Sequence, residues 1–324
     1  MNTKLVSMTH SMPATLTQSL RSGSLRVHGL MLLASGLIAT SFPVGAEITG
    51  GLDAVVLTFL RFALATALFA PLVAWKVGLV LPGPKDLLRY GALGACLATF
   101  FWCMFEALRS TSALNTAAIF ALMPVITALF AALLLRERLA LLSRIALPIG
   151  SVGAIWVVFR GDMQALLSLD LGGGDLLFLA GTVSLAAYST LVKLLHRGEP
   201  MARLTFWTMA AGTVWLLLLA LPRLPAIEWA EVPMTVYAGI GYLAVFTTII
   251  TFFVFQWSTS IIGPTRVSAY TFLNPALVLA LGIALGDGLP PAATWPGIAL
   301  VILATLTLQG QTGQGPKGAL EKLR

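Results

Sequence analysis

Long uncharged runs alternate with short breaks rich in glycine and proline along almost the whole chain. A helix rises about 1.5 Å per residue, so about 20 apolar residues cross a hydrocarbon core of roughly 30 Å. Ten runs read as spans of this kind: 27–46, 54–75, 88–108, 112–135, 145–159, 173–195, 204–221, 235–257, 264–286 and 293–308. The breaks have local causes. Pro82-Gly83-Pro84 ends one excursion, Gly172-Gly173-Gly174 opens another, and Pro222 with Pro225 stops a third. The fourth run has Pro124 at its middle and closes on Arg136, Glu137 and Arg138. The ninth repeats the plan, with Pro275 at its middle and Asp287 at its end.

That repeat sets the architecture. Spans one to five match spans six to ten, with an aromatic in the first span of each set (Phe42, Tyr188) and a proline in the fourth. Five is odd, so the sets enter the membrane in opposite directions. The sequence therefore predicts an all-α membrane protein of ten transmembrane helices, built as two inverted-topology five-helix repeats over 27–160 and 172–309. Inverted repeats let one site near the midplane open to either side in turn, as in secondary transporters.

Charge placement supplies the orientation. Fifteen of the 20 lysines and arginines fall on one side, three (Arg109, Arg160, Arg223) on the other, and Arg61 and Arg266 within spans, 15 + 3 + 2 = 20. Basic residues accumulate on the cytoplasmic side. Both ends are then cytoplasmic, residues 1–26 and 310–324 being tails, and the chain belongs in the cell (inner) membrane. Residues 1–26 lack the apolar core of a cleaved signal.

Composition agrees: 58% of residues are hydrophobic and 10% charged, against about a quarter charged in soluble domains. The net charge of +7 does not point to nucleic acid, because the basic residues sit in loops without interleaved aromatics. Cys96 and Cys103 share one span, about 10.5 Å apart along a helix and beyond disulfide reach. Three scattered histidines, His10, His28 and His196, suit no metal site, and no cofactor is expected.

The segments TFLRFALATALFAPL, ALRSTSALNTAAIFALMPVITALFAALLLRERL, GGGDLLFLAGTVSLAAYST and FLNPALVLALGIALGD, in this order and spacing, resemble EamA-type members of the drug/metabolite transporter superfamily. The resemblance covers 27 to about 308. It implies a ten-helix exporter of small metabolites, such as amino acids and their derivatives, and sometimes of drugs. It also implies that an arginine at position 61 is common. Asp287 departs from the family pattern, which carries glutamate one place later.

Pro124 and Pro275 each remove an N–H and are expected to leave the Phe120 and Thr271 carbonyls free, as helix hinges lining a cavity or as static kinks. Arg266, Tyr270 and Asn274 recur every four residues, one face of an α-helix; Asn115 holds an aligned position in span four. Arg266 either snorkels to headgroups or faces substrate. Asn274 is too deep to snorkel and is expected to hydrogen-bond substrate or a neighbouring helix. Arg61 costs about 2.5–3.5 kcal/mol at the membrane centre without a partner, so an intramembrane ion pair or interhelix lock is expected. Glu106 reads as the one acid clearly inside a span; it pairs with Arg109 one turn on or carries a proton as coupling ion. Trp102 shares its face, and Trp102, Tyr188 and Tyr270 are candidates to stack on substrate. Gly282 and Gly286 form a GxxxG pair, leaving monomer and homodimer both open. Spans five, seven and ten carry no internal charge and are expected to face lipid.

No GxxxxGK[ST] loop is present, so the chain does not itself hydrolyse nucleotide. A carrier that effluxes drugs or amphiphiles is the nearest alternative. The membrane subunit of a pump and a membrane-embedded lipid-modifying enzyme are others, the latter needing clustered carboxylates or histidines that are not evident.

Overall fold

A computed structural model describes residues 14–107, 110–111, 113–168, 171–286 and 288–310. All regular elements among them are helical. Ten carry the fold: α1 (Ala14–Thr49), α2 (Ala54–Val77), α3 (Pro84–Ala107), α4 (Ala113–Phe120 and Met123–Leu134), α5 (Leu141–Val158), α6 (Gly173–Leu195), α7 (Met201–Ala220), α8 (Met234–Ile262), α9 (Pro264–Leu285) and α10 (Trp295–Gly310). Nine are long and apolar enough to cross a bilayer, and the tenth, α1, contributes a shorter apolar stretch, Leu25–Ser41. α1 starts at Ala14, so part of the stretch read as a polar tail is helical. The C-terminal tail from 311 lies outside the described residues.

Packing joins the two sets of five rather than separating them. α5 lies along α10, α3 along α6 and α7, α2 along α7 and α8, α4 against α6 and α9, and α1 against α8 and α9. Exchanging each helix for the one five places away maps these pairings onto themselves. The α3–α6 pair becomes α8–α1, α3–α7 becomes α8–α2, and α4–α6 becomes α9–α1. The α2–α7, α4–α9 and α5–α10 pairs each return themselves.

Glycines allow the closest crossings. A methyl on Gly94 of α3 would sit 2.5 Å from the backbone nitrogen of Gly212 on α7. One on Gly153 of α5 would sit 3.0 Å from the Gly297 carbonyl oxygen on α10. Without side chains the backbones meet directly, as in other membrane bundles. α7 is packed on one face against α2 and α3, while Val214, Trp215 and Leu218 on it stay exposed. Gly286 has another use: at φ 102° it caps α9 in the left-handed conformation, with open space around it. It packs against no helix.

Both proline breaks are real, and the second does not leave its backbone as the sequence suggested. α4 stops at Phe120 and resumes at Met123, with Pro124 in the new first turn. The Ala121 carbonyl accepts a hydrogen bond from the Ser151 hydroxyl of α5 at 2.8 Å. In α9 the chain tightens to a 3-10 helix over Ala269–Leu273 before Pro275, and the Thr271 carbonyl accepts the Asn274 N–H. That carbonyl is satisfied rather than free. α5 touches this second break as well, since a methyl on Gly150 would meet the Phe272 ring at 2.5 Å.

Gly94→Ala is expected to destabilise the protein by roughly 1–3 kcal/mol through overpacking. Gly91→Ala, on the same helix with nothing within 4 Å, should be neutral or slightly stabilising. Thermal unfolding of the two purified variants, followed by loss of the monodisperse peak, separates them; equal midpoints would refute the contact.

Candidate functional site

Arg61 is 8% exposed, deep in α2. Its Nε donates to the Thr248 hydroxyl at 2.6 Å, and Nη2 to the carbonyl and hydroxyl of Thr247 at 2.9 and 3.0 Å. The Phe101 ring of α3 lies under the guanidinium at 5.3 Å. The expected ion pair is not what forms: among the described residues the partners are hydroxyls, a carbonyl and a ring. The cause is local. Residues Val245–Ile250 of α8 wind as a π-helix, which widens the turn and leaves Thr247 able to offer its carbonyl sideways. Threonine hydroxyls then complete the cradle, themselves donating to the Leu243 carbonyl. Arg61 thus locks α2 to α8.

Tyr188 does not stand free to stack on a substrate. Its hydroxyl accepts from Gln256 Nε2 at 2.5 Å, and Gln256 Oε1 accepts from the Thr205 hydroxyl at 2.5 Å. This buried chain joins α6, α8 and α7. Gln256, 1% exposed, was legible as a lone amide in an apolar run but was not singled out. Tyr270 shares a 2.6 Å hydrogen bond with Nδ1 of His28 on α1. Arg266 is held by Gln309. Its guanidinium donates to the side-chain and backbone oxygens of Gln309 at 3.3 and 2.5 Å, and Gln309 Nε2 returns a bond to the Arg266 carbonyl at 2.8 Å. It clasps the end of α10.

Asn274 stands apart. It is 4% exposed, and neither its side-chain oxygen nor its nitrogen has a hydrogen-bond partner. The face proposed for Arg266, Tyr270 and Asn274 assumed α-helical winding. Four residues of α-helix advance about 40° beyond a full turn, whereas four of 3-10 helix advance about 120°. The tightened segment therefore turns Asn274 away from the direction of Tyr270.

Near the other end of the bundle, the side-chain nitrogen of Asn115 donates to Asp175 at 3.3 Å. Asp175 also accepts from the Thr111 hydroxyl and, at 2.8 Å, from the Gly172 N–H. This carboxylate, 3% exposed, closes the first turn of α6 and ties it to the α3–α4 link. Glu106 is thus not the only acid within a span; the glycine run before Asp175 drew attention to the break instead. Glu106 is half-buried in the last turn of α3, and Trp102 packs on Val55, Val56 and Ala220. Arg109 and Asp287 lie outside the described residues.

Two surface clefts, of about 480 and 460 Å³, lie at helix ends, and neither is lined by these residues. No cluster of three metal-ligating side chains occurs among the described residues.

Ten helices in two matched sets, with a locked cation and an unsatisfied amide inside the spans, define a multi-pass membrane transport protein rather than an enzyme. The chain belongs to the EamA-like transporter family, whose pattern matches residues 25–159 and again 172–309. It is 26% identical over 253 residues to the uncharacterized transporter YyaM of Bacillus subtilis, covering 77% of this chain and 82% of that one. An uncharacterized transporter of Archaeoglobus fulgidus is 27% identical over 225 residues, 69% of this chain and 76% of that protein. The uncharacterized inner membrane transporter YedA of Escherichia coli is 23% identical over 160 residues, 47% of this chain and 51% of its own length. A solved structure described only as "Crystal structure of protein" shares the fold, with TM-score 0.72 at 19% identity over 91% of this chain and all of that one.

Proposed function

We propose that this transporter is a secondary carrier of the inner membrane that exports small metabolites, amino acids or their derivatives, by alternating access. The observation that carries the reading is Asn274: a buried amide beside a proline break, with a donor and an acceptor both unmet. Leaving a buried polar group unsatisfied costs about 1–3 kcal/mol, which a substrate with matching polar groups relieves. The self-mapping helix pairs support the exchange of roles between the two sets of five. The membership in a transporter family supports carriage, and the YedA name supports the inner membrane.

Asn274→Leu is expected to reduce transport to background while the protein reaches the membrane at its normal level. The substrate for that assay comes from a growth screen of cells lacking or overproducing the protein, challenged with amino acids, analogues and toxic amphiphiles. Wild-type flux through the variant would remove Asn274 from the site. Resistance to amphiphiles alone would favour the drug-efflux reading.

A proton carried by Glu106, a half-buried carboxylate in the last turn of α3, is the coupling ion in this scheme. Glu106→Gln should abolish the dependence of liposome transport on a pH gradient. Flux in the parent protein that ignores the gradient would end the coupling proposal. Both chain ends lie in the cytoplasm under the 15-to-3 distribution of basic residues, so a reporter fused after residue 165 should read out as external; a cytoplasmic readout there would invert the topology.

A further inference from the structure

The 460 Å³ cleft sits where α3 begins and the α6–α7 link turns, lined among others by Arg89, Arg197, Arg203, Trp207 and Tyr90. Its charges do not balance. Asp86 and Glu199 are both engaged: Arg89 contacts Asp86 at 3.2 Å and Glu199 at 2.8 Å, the latter an ion pair out of line for a hydrogen bond, and Arg197 contacts Asp86 at 3.2 Å. Arg203 has no carboxylate; it donates through Nη2 to the Val77 carbonyl at 2.6 Å.

Three N–H groups in this one cleft also lack acceptors: Nε of Arg89, Nε of Arg203 and the indole Nε1 of Trp207. Arg203 and Trp207 are one turn apart on α7, so they share a face. Arg89 belongs to the opposing α3 and is 6% exposed. All three nitrogens are covered by protein in this arrangement, but the Arg203 and Trp207 side chains are only half-buried and line the cleft, so a turn of either brings its N–H to a ligand there. What the cleft lacks is a compact group rich in oxygen acceptors and carrying negative charge, which describes a phosphate. The apolar rim indicates where it comes from. Leu81 and Leu88 are 83% and 76% exposed, at a helix end that the basic residues place at the membrane boundary.

We propose that this cleft binds the phosphate of an anionic phospholipid, with Arg203 and Trp207 as its principal donors, Arg89 and Arg197 completing the field, and the acyl chains lying along Leu81 and Leu88. Basic pockets at helix ends take lipid headgroups for the same electrostatic reason. The bound lipid would tie the start of α3 to the α6–α7 link. The site is separate from the transport pathway, so it stands or falls apart from the export reading.

The test is reconstitution of the full chain in nanodiscs of phosphatidylglycerol or of phosphatidylcholine. The melting midpoint of the wild type should be higher in phosphatidylglycerol by about 2–4 °C, and phosphatidylglycerol retained after detergent extraction should fall several-fold in Arg203→Gln. Trp207→Phe removes the indole N–H, keeps a smaller aromatic ring beside Tyr90, and leaves the fold testable if Arg203→Gln fails to assemble. It should lose most of the lipid-dependent shift, whereas Arg144→Gln, a charge-matched change on exposed α5 surface, should keep it. Equal midpoints in the two lipids, or equal retention by Trp207→Phe and wild type, would overturn the site. Inorganic phosphate added in detergent should not reproduce the shift; if it does, the ligand is free phosphate and the lipid assignment is wrong.

Discussion

Lipid offers no hydrogen-bond partner, and that one constraint explains most of the side-chain chemistry inside this bundle. Every polar group carried into the spans has to be met by another part of the protein. Arg61 is met by two threonines and a carbonyl that a π-turn presents to it. Gln256 bridges a tyrosine and a threonine from two other helices. Asp175 collects three donors at a helix start. Each solution joins helices distant in sequence, so the groups that look expensive are also the fasteners of the tertiary structure. Several buried hydroxyls, among them those of Ser35, Thr208, Ser258 and Thr305, also go unmet among the described residues, and Asn274 adds two unmet atoms on one amide.

Much of the fold could be read from the chain because a bilayer dictates length. The run 173–195 coincides with α6, and the shorter runs 145–159 and 293–308 prove to be the paired helices α5 and α10. The proline breaks at 124 and 275 were legible for the same reason, since proline acts on its own helix. Their consequences were not. What satisfies Ala121 is a serine 30 residues away, and what holds Arg61 is a turn almost 190 residues away. Helical periodicity carries no information about either. The grouping of Arg266 with Tyr270 and Asn274 failed for a further reason: it assumed uniform winding across a segment that the proline forces into a tighter helix.

The sequence also ranked polar residues by charge, which misjudged several. Charge is the costliest thing to bury, so Arg61, Arg266 and Glu106 drew the candidate roles. Yet arginine has enough donors to be satisfied locally by hydroxyls and carbonyls, as at Thr247 and Gln309, and it then serves as a clasp. A neutral amide needs a donor and an acceptor in fixed places. Gln256, like Asn274, is such an amide, and it joins three helices in the interior.

The two breaks are equivalent in the repeat but not in chemistry. A single turn of α5 reaches both, with Ser151 bonded to the α4 break and Gly150 making room for Phe272 at the α9 break. The first is fastened by a hydrogen bond, worth about 1 kcal/mol net. The second is held by ring packing and a 3-10 turn, and the amide beside it goes unsatisfied. A ligand shifts a conformational balance only by the difference in its affinity for the two states. Relief of an unmet donor and acceptor at one break, with no such relief at the other, supplies a difference of that kind. Under the role proposed for Asn274, the asymmetry between the halves, more than their symmetry, would let substrate choose which way the bundle opens.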